Sequence, residues 1–275
     1  NTFQLRNKIN YILSKMGMEP YADNTFQKCF KVLTTKELVI KKKGRGYYQV
    51  NPLFFFKGTE EERQQAIRKN LEELIRMLSS LRTVDNKAID LTLTSNAALL
   101  ARKAQSLKDA GLNRLTISLD ALDDEIFKQM NDVDFPVAQV LEGIQAAEAA
   151  GFQQIKINMV VKKSVNADQV IPMARYFKNT PHILRFIEFM DVGSSNAWCL
   201  DEVLPSSQII QDLAQAGMPL TPLPAQNSSE TAARFQHRDG QGELGFISSV
   251  SKAFCHDCSR ARLSTQGMLY TCLFA

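Results

Sequence analysis

Cys255-His-Asp-Cys258 and Cys272 form a C-x2-C-x13-C arrangement in the last 21 residues of the sequence. Two thiolates separated by two residues can turn toward one metal, and a third can occupy another corner of a tetrahedron. Soft thiolate donors suit zinc or an iron-sulfur cluster. A fourth protein donor is not evident, because His256 lies between the two cysteines and is expected to point away from their shared metal. Three thiolates and a vacant corner favour a [4Fe-4S] cluster with one iron open to a substrate. Structural zinc is the alternative that spacing alone leaves open.

Beside the cysteines, Arg260 and Arg262 stand two residues apart. On an extended segment both would point to one face, where guanidinium forks can grip phosphate oxygens at two points. Two nearby arginines alone are commonly surface charges, but next to an open cluster they suggest a polyphosphate substrate. Lys156 and Arg185 lie within β-rich runs among apolar neighbours. Such charges are seldom fully buried without a partner. Facing a barrel interior they would add positive charge to the same cavity; salt bridges to neighbouring carboxylates are the alternative. Cys199 follows Trp198 and reads as a packing residue, and Cys29 as a small, partly buried one.

These residues need elements to position them. Beyond residue 67, short β-rich runs alternate with amphipathic helices. Strands are expected at 89–94, 114–118, 154–161 and 183–189. Helices are expected over Leu71–Leu81, Ala98–Ala110, about 123–131, 137–150 and about 167–178, with Gly111 and Gly151 ending two of them. Strand and helix in alternation with short connections predict a parallel α/β architecture. Polar residues at strand C-terminal ends are then site candidates: Thr94-Ser95-Asn96, Ser118-Leu-Asp120, Asn158 and Glu188-Phe-Met-Asp191.

The 275 residues carry a net charge of +4, and that charge is unevenly spread. Residues 1–70 hold 14 Lys/Arg against 6 Asp/Glu, and the remaining 205 hold 19 against 23. Such asymmetry suggests different partners for the two parts. In the basic part, two amphipathic helices precede apolar runs on either side of Lys41-Lys-Lys-Gly-Arg-Gly46, which read as a hairpin. Helix, helix and basic hairpin predict a small winged helix-turn-helix able to bind DNA; a solvated basic hairpin is the alternative. A composition of 44% hydrophobic and 23% charged residues excludes a disordered or fibrous chain. No run of about 18 apolar residues and no signal-peptide pattern are present, so a cytoplasmic protein without membrane contact is expected. Because the sequence starts at Asn1 and stops at Ala275 without a polar tail, a fragment is expected.

Two resemblances follow from these motifs. Thr25-x4-Lys-x2-Leu33, Gly46-Tyr-Tyr-x-Val-Asn-Pro52 and Phe54-Phe-Phe-Lys-Gly58 resemble the RepL-type plasmid replication initiators. From about residue 67 the chain resembles the GTP 3′,8-cyclase family, radical S-adenosylmethionine enzymes of molybdenum cofactor biosynthesis. The similarity lies in Leu93-Thr-Ser-Asn96, Asp109-Ala-Gly-Leu112, Ile117-Ser-Leu-Asp-Ala121, Ile155-Lys-Ile-Asn-Met-Val160, Leu184-Arg-Phe-Ile-Glu-Phe-Met-Asp-Val-Gly193, Phe254-Cys-x2-Cys-Ser-Arg-Ala-Arg-Leu263 and Cys272-Leu-Phe-Ala275.

That second resemblance implies conversion of GTP to (8S)-3′,8-cyclo-7,8-dihydroguanosine 5′-triphosphate on a TIM-type (β/α) barrel, often in a homodimer. It implies that Cys255, Cys258 and Cys272 hold one [4Fe-4S] cluster. It further implies that Thr94, Lys156, Arg185, Arg260 and Arg262 contact GTP, and that Ser118 and Met190 touch S-adenosylmethionine. The family's C-x3-C-x2-C loop, which binds a second cluster that cleaves S-adenosylmethionine, has no counterpart, since Cys29 is the only cysteine before Cys199. The family's Gly-Gly-Glu-Pro loop and the chain beyond the third cysteine are missing as well. The expected organisation is a winged-helix segment at 1–66, a partial radical S-adenosylmethionine barrel at 67–193 lacking its first strands, and a truncated cluster-binding region at 194–275. The seam is expected near 58–68. Without its first two strands the barrel is expected to leave an exposed edge and an uncovered apolar face, and the chain is expected not to turn over.

Overall fold

The computed structural model of the chain describes residues 39–41, 48–50, 71–83, 85–131, 134–190, 198–226, 230–252, 261–263 and 269–270. They divide between two compact units, residues 1–71 with 261–273 and 275, and residues 72–260 with 274.

In the first unit, β1 (Val39–Lys41) and β2 (Tyr48–Val50) pair antiparallel, Val39 opposite Val50 and Lys41 opposite Tyr48. This is the hairpin read from the sequence; the two helices of the expected winged helix, and Cys29, lie outside the described residues. Near the C-terminus of the chain, β10 (Arg262–Leu263) and β11 (Leu269–Tyr270) form a second antiparallel pair.

The second unit is built on a seven-stranded sheet in the order β3-β4-β5-β6-β9-β8-β7. β3 (Thr92–Ser95), β4 (Arg114–Ser118), β5 (Lys156–Val161), β6 (Ile183–Glu188) and β9 (Glu243–Ile247) run parallel. β8 (Ala233–His237) and β7 (Leu220–Pro222) continue antiparallel. The helices are α1 (Leu71–Ser79), α2 (Leu100–Asp109), α3 (Asp124–Asn131), α4 (Val137–Ala149), α5 (Lys163–Asn166), α6 (Val170–Phe177) and α7 (Ser206–Gln215). A mostly parallel sheet with helical crossovers is the partial (β/α) architecture that the alternating pattern predicts.

Alternation along each strand decides which side becomes core. In β5, Ile157, Met159 and Val161 are buried while Lys156, Asn158 and Val160 are half-buried; in β6, Leu184 and Phe186 are buried while Ile183, Arg185 and Ile187 are not. The buried set meets the helices, with α6 and α7 packing against β6 and α2 against α4. Phe186 stacks on Phe246 of β9 with ring centroids 5.6 Å apart.

Gly111 and Gly151 stop α2 and α4 as expected, at φ +104° and +84°. At both ends the next amide closes back on the helix, Leu112 N–H to the Leu107 carbonyl and Phe152 N–H to the Ala147 carbonyl. Only a residue tolerant of positive φ allows that closure.

Some boundaries differ from expectation. β3 begins at Thr92, because the Leu91 amide donates to the Asn113 side chain at 2.8 Å and its carbonyl accepts from Asn113 and Arg114. The helix expected over about 167–178 opens as a 3-10 turn at Ala167–Gln169 before α6, and a short helix, α5, precedes it. There the buried Asn166 amide donates to the Asp120 and Val160 carbonyls, tying the junction to the ends of β4 and β5.

Candidate functional site

The parallel register lines up one side of the sheet in rows that run from the exposed Thr94 to the half-buried Lys156 and Arg185. One row runs Thr94, Thr116, Lys156, Ile183, Glu243; the next runs Ser118, Asn158, Arg185, Gly245 and, across the antiparallel pair, Arg234. Residues that stand side by side in register share a face. The sheet therefore brings Thr94, Ser118, Lys156 and Arg185 together on one side, four residues drawn from four strands. Met190 lies beyond the C-terminal end of β6 and is half-buried.

The first two rows of this face consist largely of Thr, Ser, Asn, Lys and Arg; Val160, Ile187 and Ile247 make an apolar row above them. The polar rows leave a cavity of about 400 Å³ lined by Arg114, Lys156, Arg185, Arg234, Glu230 and Glu243, among others. Arg114, Lys156 and Glu243 are the first residues of their strands, so the cavity lies toward the N-terminal ends of the sheet. The C-terminal rim favoured by a closed barrel is the other end. Barrel interiors are normally filled by layers of bulky side chains, whereas here Gly245 contributes none and the polar rows leave space.

The cations of the cavity fall into two kinds. Arg234 is neutralised by Glu243 through two bonds, Nε to Oε1 at 2.8 Å and Nη2 to Oε2 at 2.9 Å, and Arg114 pairs with Asp90. Among the described residues neither Lys156 nor Arg185 is bonded to a carboxylate, although Glu230 and Glu243 act on Lys156 from a distance. Arg185 Nε donates to Asn158 Oδ1 at 2.9 Å, which leaves both Nη groups uncommitted among the described residues. Burial, then the positive charges of Arg185 and Arg114, push the Lys156 pKa down. Burial and Arg114 push Arg185 the same way. Glu230 and Glu243 offset part of the repulsion at Lys156. Two mutually repelling cations that bond no carboxylate among the described residues are suited to an anion that carries several charges.

Other candidates from the strand ends prove to be internal fasteners. Glu188 is buried; its carboxylate accepts from the Ser206 amide and hydroxyl, the Val250 amide, and the Ser251 amide and hydroxyl. Burial pushes its pKa up, but the bonds from Ser251, Ser206 and Val250 outweigh that and hold it below the ordinary value. Asp120 accepts from the Val160 amide at 2.7 Å, and burial raises its pKa to about 6. Cys199 is also corrected: it is exposed and free, because the neighbouring Trp198 is the residue turned inward, its Nε1 donating to the Phe189 carbonyl at 2.9 Å.

Cys255, Cys258, Cys272 and Arg260 lie outside the described residues, and Arg262 is described only as backbone, paired with Tyr270. Among the described residues no group of three His, Cys, Asp or Glu could hold a metal. No described helix is long and apolar enough to cross a membrane. Sequence reading missed Gly245, Arg234 and Glu243. The Glu243-Leu-Gly-Phe-Ile247 alternation was the signal that could have placed them on a strand.

Residues 52–177 match the Radical SAM superfamily family model and residues 182–275 match Molybdenum Cofactor Synthesis C. The first match begins inside the basic segment read as 1–66. A GTP 3′,8-cyclase from Xanthomonas campestris pv. campestris (strain 8004) is 52% identical over 209 residues, 76% of this chain and 60% of that protein. GTP 3′,8-cyclases from Acidothermus cellulolyticus and Staphylococcus saprophyticus are 46% and 41% identical over the same share of this chain, covering 56% and 60% of their own lengths. The chain thus spans about 60% of the length of these curated relatives. A solved radical SAM methyltransferase from Sphaerobacter thermophilus is similar at 16% identity and a TM-score of 0.42, over 61% of this chain and 50% of that one, a likeness too low to bear on the fold.

Proposed function

We propose that the chain, which matches the radical SAM superfamily over 52–177, Molybdenum Cofactor Synthesis C over 182–275 and GTP 3′,8-cyclases over 209 residues, carries the GTP-holding part of a GTP 3′,8-cyclase in molybdenum cofactor biosynthesis. The observation that carries this reading is the pair Lys156 and Arg185, bonded to no carboxylate among the described residues, on one face of the sheet beside a cavity of about 400 Å³. Lys156 offers a compact ammonium and Arg185 a planar fork, and together they meet the charge of a triphosphate. Thr94, one strand away from Thr116 in the Lys156 row, presents a hydroxyl to the same nucleotide. Arg260 and Arg262 add further phosphate contacts, and Ser118 and Met190 meet S-adenosylmethionine.

The donor set Cys255, Cys258 and Cys272 fits a [4Fe-4S] cluster, which would offer one open iron to the nucleotide. For the cluster that cleaves S-adenosylmethionine the residues do not fit, because this sequence holds no C-x3-C-x2-C. The chain therefore binds and orients without turning over. Replacing Lys156 or Arg185 by Ala should weaken GTP binding while guanosine binds as before, and equal loss for both ligands would overturn the reading. Anaerobic reconstitution should load one cluster per chain; formation of 5′-deoxyadenosine from S-adenosylmethionine would contradict that.

A second reading concerns residues 1–66, where the β1–β2 hairpin brackets Lys42-Lys-Gly-Arg-Gly46 and supports a DNA-contacting wing. Duplex binding that falls steeply with salt would support it, and salt-insensitive or absent binding would remove it. Self-association, as the family resemblance implies, is tested by sedimentation of the whole chain.

A further inference from the structure

Arg185 is shaped from two sides by its register partners. Asn158, its register partner on β5, takes the Nε proton at 2.9 Å. Gly245, its register partner on β9, lies under the aliphatic stem: a Cβ built there would stand 2.9 Å from Arg185 Cγ and 3.3 Å from Cδ. A real Cβ at 2.9 Å would force the arginine to move. Gly245 has no positive φ in this structure, so the close approach is its distinguishing feature.

We infer that Asn158 and Gly245 are positioning residues for Arg185, the amide fixing the Nε edge of the guanidinium and the missing side chain leaving the channel in which its stem lies. An arginine has several rotatable bonds, and much of their freedom must be given up when its fork meets a phosphate. Holding Nε beforehand leaves the two Nη groups as the free edge, the edge that matches two phosphate oxygens. Preorganisation of this kind strengthens binding without adding a contact to the ligand. The inference rests on the GTP reading above, since it gives that site's arginine its geometry.

The test is a double-mutant cycle on the whole chain, read by calorimetric binding of GTP and of guanosine. Asn158→Ala should weaken GTP roughly 3- to 10-fold, the scale of one hydrogen bond, and leave guanosine unchanged. In an Arg185→Ala background the same substitution should have no further effect, because its influence passes through the arginine. Gly245→Ala should behave in the same way, and should it fail to fold, the Asn158 arm decides alone. A loss of GTP affinity that persists in the Arg185→Ala background, or no loss in the parent chain, overturns the inference. If Arg185→Ala itself leaves GTP binding unchanged, the GTP reading fails first and takes the positioning role with it. If Arg185→Ala weakens GTP but Asn158→Ala does not, only the positioning role fails.

Discussion

Arg185 depresses the pKa of Lys156 across the β5–β6 boundary, after burial the largest influence on that lysine. Glu230 and Glu243 offset part of that repulsion, and neither cation is bonded to a carboxylate among the described residues, so a polyanionic ligand would relieve the rest. A bound triphosphate would restore the Lys156 pKa, which means that binding takes up a proton wherever the free lysine is partly neutral. GTP affinity should therefore fall as pH rises through the free chain's Lys156 pKa, below the ordinary lysine value. Calorimetry in two buffers of different ionisation enthalpy should show proton uptake on binding. Lys156→Arg should abolish both effects, since an arginine stays charged across that range.

Asp120 should oppose stability at neutral pH. Its folded pKa of about 6 stands above the ordinary 3.8, so the folded chain binds more protons than the unfolded one between those values. Stability then falls as pH rises through that window and stays lowered above it. Asp120→Asn keeps an oxygen for the Val160 amide, and should stabilise the chain at pH 7.5 by up to about 3 kcal/mol while changing little at pH 4. Thermal melts of the two proteins at the two pH values read this directly.

Glu188 has the opposite sign. Its folded pKa lies below the ordinary value, so its contribution is present above that value and lost as pH falls through the folded pKa. Glu188→Ala leaves the buried Ser206 amide and the partly buried hydrogen bonds from the Val250 and Ser251 amides without their acceptor. A loss on the order of 2–4 kcal/mol is expected at neutral pH, checked by denaturant unfolding. A change within about 0.5 kcal/mol, the range of an ordinary surface substitution, would mean that the carboxylate is not the fastener described here.

Cys199, exposed and free, should react with a thiol reagent in the native chain. After anaerobic loading with iron and sulfide, mass spectrometry should find Cys255, Cys258 and Cys272 protected and Cys199 still labelled. Protection of Cys199 would move a cluster ligand away from the C-terminal trio.

Periodicity made the parallel core readable. The alternation in Lys156–Val161 and Ile183–Glu188, and the glycines that stop α2 and α4, follow from local rules and hold in the structure. Local rules could not place β9 beside β6, because that neighbour comes 55 residues after the end of β6 and only long-range packing selects it. Gly245 was missed for the same reason: it matters through Arg185, a partner visible only once the strands are in register. Trp198 and Cys199 show a limit of another kind, since adjacent residues exchange inside and outside with a small rotation of irregular chain. Lys156 and Arg185 were legible as charges out of place in apolar strands, and the sheet shows what their place is.

The most direct measurement is a calorimetric titration of the whole chain with guanosine, GMP, GDP and GTP at low salt. Phosphate binding by Lys156 and Arg185 predicts that affinity rises along the series and that Lys156→Ala or Arg185→Ala flattens the rise. Equal affinities across the four ligands, or a rise that persists in both variants, would contradict it.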